Sequence, residues 1–113
     1  MNILFLCTSN LHRSKTAEDF FKALESNHTF QSAGLSEKYC KKYGSRLCTV
    51  ELLNWAELIF VMEPRHKKRI VEYVGDRYSD KITVLNIDDI YQYMQPELLT
   101  KLKSNIHLQF IIQ

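Results

Sequence analysis

The stretch Ile3-Leu4-Phe5-Leu6-Cys7-Thr8-Ser9-Asn10-Leu11-His12-Arg13-Ser14 decides the fold of this chain. Its first four residues are a continuous apolar run, the pattern of a strand buried on both faces. The part from Cys7 to Ser14 is polar and breaks that pattern. From Ser14 onward, Ala17, Phe20, Phe21 and Leu24 recur at i, i+3, i+4 and i+7, one face of an amphipathic helix. Asp19 and Glu25 fall off that stripe, and Ser26-Asn27-His28 ends it. The chain thus opens as buried strand, polar loop and helix.

Working outward, the alternation continues. Residues 29–33 predict a second strand before Gly34. Ser36 is placed to cap a short helix that Gly44 closes, and Thr49 to cap another through Leu52, Leu53 and Trp55. Residues 58–62 are apolar throughout and make the clearest strand. Pro64 stands at the first position of a helix whose inward stripe is Ile70, Val71 and Val74 and whose end is Gly75. Residues 81–85 predict a fourth strand, buried through Ile82 and Val84. Pro96 opens a last helix, with Leu98, Leu99 and Leu102 on one side. Strands alternating with helices imply a parallel sheet covered on both faces. The expected fold class is α/β: a single three-layer, doubly wound domain over residues 1–113, with a four-stranded parallel sheet flanked by helices. Such sheets bind ligands at the carboxyl ends of their strands, where the 7–14 loop lies.

A length of 113 residues suits one core and not two. The apolar share of 45% and charged share of 25% are ordinary for a globular protein. A net charge of +2 is too mild to point to nucleic acid. The apolar run at the start is shorter than a signal-peptide core and far shorter than a membrane span. The expectation is therefore no membrane partner and a cytoplasmic location. Three cysteines, an odd number, read as free thiols.

The loop has the form Cys-x5-Arg-Ser, and chemistry explains that spacing. Five residues curling between Cys7 and Arg13, namely Thr8, Ser9, Asn10, Leu11 and His12, can aim successive backbone N–H groups at one point and form an anion nest. The helix that follows adds its positive end and its unsatisfied N–H groups. Arg13 can grip two phosphate oxygens with its planar fork, which a lysine would not copy. The same field favours the thiolate of Cys7, the nucleophilic form. Ser14 is placed to donate a hydrogen bond to that sulfur and assist phosphate departure. A chance Cys-x5-Arg-Ser is expected in about one such sequence in a hundred, before the strand-loop-helix context is required.

These residues resemble the low-molecular-weight protein tyrosine phosphatase family. The apolar strand, the 7–14 loop and Thr16-Ala17-Glu18 resemble its opening, and Asn10 matches the asparagine that helps hold its loop. Ser32-Ala33-Gly34 resembles its Ser-Ala-Gly after the second strand, and the run from Leu58 to Glu63 resembles its strand ending in Met-Asp. The resemblance covers nearly the whole chain and suits a compact bacterial-type variant. It implies a metal-independent, cofactor-free hydrolase acting through a phosphocysteine on a phosphotyrosine protein or a small aryl phosphate. It also implies Asp89 as general acid, because Asp89-Ile90-Tyr91 is similar to the family's Asp-Pro-Tyr, with Ile where Pro is usual. Asp88 is the fallback, and a helix cap is the structural alternative for the pair. Tyr91, with Tyr93, is a candidate wall for an aromatic phosphoester, against simple packing. Departures include a shorter chain, implying trimmed loops around the cleft. Ser9 stands where Gly is usual, which calls for an altered backbone there. His12 replaces the second loop cysteine, removing the thiol that would protect the nucleophile.

Two other function classes compete. A thiol-coupled arsenate reductase would use further cysteines, but Cys40 and Cys48 come early in the chain, and most free cysteines are inert small hydrophobes. A non-catalytic phosphopeptide-binding module is disfavoured by the intact Cys, Arg and Ser. Arg65-His66-Lys67-Lys68-Arg69 reads first as a solvated basic face and second as a dock for an acidic partner. The tail from Ile106 to Gln113 alternates like a strand and is too apolar to float free, so it packs on the body or at a dimer contact.

Overall fold

The opening apolar run forms strand β1 (Asn2–Cys7), and helix α1 (Arg13–Leu24) follows the loop. β2 (Thr29–Gly34) leads into α2 (Glu37–Tyr43) and α3 (Val50–Trp55), and β3 (Leu58–Val61) leads into α4 (Pro64–Val74). β4 (Ile82–Val84), α5 (Pro96–Ser104) and a short α6 (Gln109–Ile112) complete the order. The computed structural model describes residues 1–24 and 27–112. Glu25, expected off the α1 stripe, the helix stop expected at Ser26, and Gln113 at the end of the tail lie outside them.

The strands form one parallel sheet in the order β2-β1-β3-β4. Side chains alternate across a strand, so β1 feeds two cores at once. Ile3, Phe5 and Cys7 pack with Ala17, Phe21, Leu98 and Leu102, while Leu4 and Leu6 pack with Leu53, Ile59, Val61 and Ile70. This is the three-layer α/β arrangement expected from the sequence. From β1 the chain crosses to β2 on one side, whereas from β3 it crosses to β4 on the other. The carboxyl ends of β1 and β3 therefore form the switch point of the sheet, where such folds open a crevice.

Helix boundaries follow local chemistry. Ser36 and Thr49 accept from the N–H groups of Tyr39 and Leu52, and Gly44 closes α2 at a left-handed φ of 65°. Three expectations fail. Leu24 and Val71 are exposed rather than buried, because the inward face of α1 is shared with polar Ser14, Thr16 and Glu18, and α4 turns mainly His66 and Ile70 inward. The tail is not a strand: a short 3-10 turn (Ile106–Leu108) and α6 bury Leu108 and Ile111 in the first core. With the sheet edges at β2 and β4, helical turns are what let the tail cover the face already holding α1 and α5. Among the described residues, no helix is long and apolar enough to cross a membrane.

Candidate active site

The 7–14 loop leaves β1 at the switch point and is fastened from below. Leu35 and Ser36 donate backbone N–H bonds to Thr8 O at 3.0 and 2.9 Å, and the Ser45 hydroxyl donates to Ser9 O. Gly34 is required by this approach. A Cβ there would stand 2.8 Å from Thr8 O, 2.9 Å from Ser9 C and 2.5 Å from the Cys40 sulfur. The left-handed residue of the loop is Asn10, at φ 53°, a conformation asparagine tolerates. Ser9 is not among the positive-φ residues, so its side chain sits on backbone that carries no left-handed strain.

Cys7 and Ser14 lie at opposite ends of the loop with Sγ and Oγ 2.9 Å apart, both buried. The direction of that bond follows from its neighbours. Glu18 can only accept, so the Ser32 hydroxyl donates to it at 2.5 Å. Asn10 Nδ2 donates to Ser32 Oγ at 2.9 Å and to Ser14 Oγ at 2.8 Å. Ser14 Oγ therefore accepts from Asn10, and its own proton has two acceptors in reach, Ala33 O at 3.4 Å and the nearer Cys7 sulfur at 2.9 Å. Burial works to raise the Glu18 pKa, but hydrogen bonds from Lys22 and Ser32 prevail and hold it below the usual value. An ionised Glu18 anchors the far end of this relay.

Arg13, only 2% exposed, begins α1 and reaches across to the cap of α4 and the segment after β4. Its Nη1 donates to Glu63 Oε2 at 2.6 Å and to Ile87 O at 2.8 Å, and its Nε lies 3.7 Å from Asp89 Oδ1. Among the described residues, the two hydrogen bonds use two of five guanidinium N–H donors, and the remainder can serve an oxyanion. Burial pushes the Glu63 carboxyl up, but its bonds to Arg65 and Arg13 win and bring it to about 2.

His66 is a further residue that the sequence reading placed wrongly. It is buried, not solvated with Arg65, Lys68 and Arg69. Its Nδ1 accepts the Glu63 N–H at 3.0 Å in a capping box, so its Nε2–H donates to Thr8 Oγ1 at 3.0 Å. Burial, then the charges of Arg13 and Arg65, lower its pKa to about 4, which keeps it neutral. The signal was present as Glu63-Pro64-x-His66, a cap residue, a proline at the first helical position and a side chain three residues past the cap.

Of the sequence candidates, Cys7, Thr8, Ser9, Asn10, Leu11, His12, Arg13 and Ser14 all sit in this one loop and helix start, and Asp89 stands beside Arg13, 60% exposed. Asp88 makes no such contact among the described residues. Tyr91 is partly buried against the first core, and Tyr93 turns its hydroxyl to Asp19 at 2.6 Å. Cys40 is buried with its sulfur toward Ser9 O and Arg46 O, at 3.7 and 3.6 Å. Burial pushes the Cys48 thiol up to about 12. A cavity of about 360 Å³ opens beside the loop between Thr8, Ser36, Tyr39, Arg65, Lys68 and Arg69.

Comparison with known proteins agrees with this geometry. The chain is 33% identical over 106 residues to the protein-arginine-phosphatase of Bacillus subtilis, covering 75% of this chain and 70% of that protein. It is 31% identical to the solution structure of a low-molecular-weight protein tyrosine phosphatase from the same organism, with a TM-score of 0.62 over 75% of this chain and 70% of that one. A low-molecular-weight protein tyrosine phosphatase from T. tengcongensis is 28% identical, with a TM-score of 0.62 over 99% of this chain and 95% of that one. No protein-family model matches the sequence.

Proposed function

This chain belongs to the low-molecular-weight protein tyrosine phosphatase family and is a cysteine-dependent phosphatase, and from that premise we propose a role for each site residue. Cys7 attacks phosphorus in line with the leaving oxygen, forming the S–P bond as the P–O bond breaks. The loop amides of Thr8 to His12 and the Arg13 fork stabilise the three equatorial oxygens. Asp89, as the acid, gives its proton to the departing oxygen. Ser14 directs its O–H at the sulfur, which eases its departure when water, deprotonated by Asp89 as base, displaces it and releases phosphate. The observation that carries this reading is the relay Glu18–Ser32–Asn10–Ser14, in which Asn10 fills the Ser14 oxygen and the Ser14 hydroxyl stands 2.9 Å from the Cys7 sulfur, nearer than its other acceptor, Ala33 O. Residues 1–113 act as one catalytic domain, since both cores share the single sheet.

The substrate is a phosphorylated protein, and phosphotyrosine is the preferred side chain. Leu11 at the loop and Tyr91 after Asp89, each partly exposed, supply apolar surface for a ring. The cationic cavity beside Thr8 suits the backbone and acidic groups of a phosphoprotein. A second reading, phosphoarginine, is favoured by the name of the 33% identical relative. A reducing compartment, the cytoplasm, suits a reaction that consumes a free thiolate. Arsenate reduction is disfavoured because the raised Cys48 thiol is a poor relay.

Metal-free hydrolysis of phosphotyrosine and phosphoarginine peptides by the wild type, Cys7→Ala and Asp89→Asn tests this account. Turnover that depends on Cys7 and Asp89 and favours phosphotyrosine is expected. Equal turnover by Cys7→Ala would overturn the mechanism, and faster release from phosphoarginine would overturn the substrate preference.

A further inference from the structure

We infer that His12 is a positioning residue for the proton donor: through the backbone N–H of Tyr93 it fixes where Asp89 stands over the phosphate loop. The inference rests on the reading of Asp89 as the acid. Between β4 and α5, residues 85–95 have neither helix nor strand, so position there depends on individual bonds. One end is tied to the sheet, with Leu85 and Ile87 donating backbone N–H bonds to Val61 O and Met62 O, each at 2.8 Å. The other end is tied to the phosphate loop and α1. Tyr93 N–H donates to His12 Nδ1 at 3.0 Å, Tyr93 O–H to Asp19 at 2.6 Å, and Met94 N–H to Thr16 Oγ1 at 2.9 Å.

Asp89 lies on the bridge between these anchorages. Asp89 and its neighbour Ile90 are 60% and 71% exposed, so packing does little to hold them. Ile90 also leaves φ free where a proline ring would fix it. Tyr91 is the one residue of the bridge that packs on the first core among the described residues. The place of the carboxyl is therefore set by the ends of the bridge together with Arg13, whose Nε lies 3.7 Å from Asp89 Oδ1 and whose Nη1 holds Ile87 O at 2.8 Å. Of the far anchors, His12 belongs to the phosphate loop itself, so its bond ties the acid-bearing segment directly to the groups that hold phosphate. A backbone N–H can only donate, so His12 Nδ1 must be unprotonated, with the ring proton on Nε2. Losing this bond leaves the Asp19 and Thr16 contacts in place. The segment then stays docked but loses its register over the loop.

A mispositioned acid is recognised by its dependence on the leaving group. A good leaving group departs without a proton, whereas a poor one needs it. The measurement is kcat/KM for phenyl phosphate and for 2,4-dinitrophenyl phosphate. It compares the wild type with His12→Ala, His12→Gln, Asp89→Asn and the His12→Ala/Asp89→Asn double variant, with thermal melts confirming that each is folded. His12→Ala should lose roughly tenfold more on phenyl phosphate than on the dinitrophenyl ester, a fraction of what a fully lost acid would cost. His12→Gln, whose amide oxygen accepts the same N–H, should recover most of the loss. In the Asp89→Asn background the His12 change should add nothing. Equal losses on both esters, an additive double variant, or no loss in His12→Ala would each overturn the inference. An Asp89→Asn variant with no leaving-group dependence would overturn the assignment of the acid itself, a result distinguishable from the others.

Discussion

The 7–14 loop and the 85–95 segment touch at Arg13 and His12 and share the reaction proposed above, but they are held in different ways. The loop is buried at Cys7, Asn10, Arg13 and Ser14, and its polar groups are joined to Ser32, Glu18, Glu63 and His66 by bonds that reach one strand and two helices. The segment carries two exposed carboxylates, Asp88 and Asp89, between two anchorages. A buried polar network must be satisfied throughout, because each orphaned group costs about 1–3 kcal/mol. An exposed segment has no such requirement. The difference matches the tasks. Phosphate must meet donors already in place, whereas an acid that also serves as base has to reach a leaving oxygen and then a water.

The comparison breaks most visibly at its exposed side. Asp89→Asn should lower kcat/KM for phenyl phosphate by roughly 10²–10⁴ while leaving the melting temperature near that of the wild type, since an exposed carboxylate contributes little to stability. A large drop in melting temperature would show the segment to be part of the core. Asn10→Ala probes the buried side. Removing its amide orphans the oxygens of Ser14 and Ser32 and the left-handed turn, so stability should fall by about 2 kcal/mol and kcat/KM by roughly tenfold. A loss of activity without loss of stability, by denaturant unfolding, would contradict a structural network.

A smaller effect concerns His66 and pH. In the unfolded chain this imidazole binds a proton below about 6.5, whereas in the folded chain it stays neutral down to about 4. The unfolded state therefore binds more protons in that window, and stability is lost as the pH falls through it. The contribution is at most roughly 3.4 kcal/mol, fully present above about pH 6.5. His66→Gln can keep both bonds, to Thr8 and to Glu63, and should flatten that part of the stability profile. An unchanged acid limb in the variant would show that other groups carry it. Glu63, held at about 2, adds its own loss only at lower pH.

The loop side of this comparison was legible from residue types alone. A buried strand, a Cys-x5-Arg-Ser loop and a helix leave little choice of geometry, and the four strands followed from apolar runs between caps and turns. His66 was misread because periodicity places a basic run on a solvated face, and only the fold brings Thr8 and Glu63 to either side of its ring. Leu24 and Val71 were misread for the complementary reason, since the inward faces of α1 and α4 are taken by polar residues that belong to the network. The tail alternates in apolarity, yet helical turns bury its Leu108 and Ile111. Asp89 came from resemblance, and nothing local in Asp88-Asp89-Ile90-Tyr91 marks one carboxyl as facing Arg13.

The central claim is that Cys7 carries the phosphoryl group. Rapid acid quenching of the enzyme during turnover of an aryl phosphate, followed by peptide mass spectrometry, tests it most directly. The account predicts a phosphoryl adduct on the Cys7 peptide in the wild type and no adduct or turnover in Cys7→Ala. An adduct on another residue, or turnover by Cys7→Ala, would contradict it.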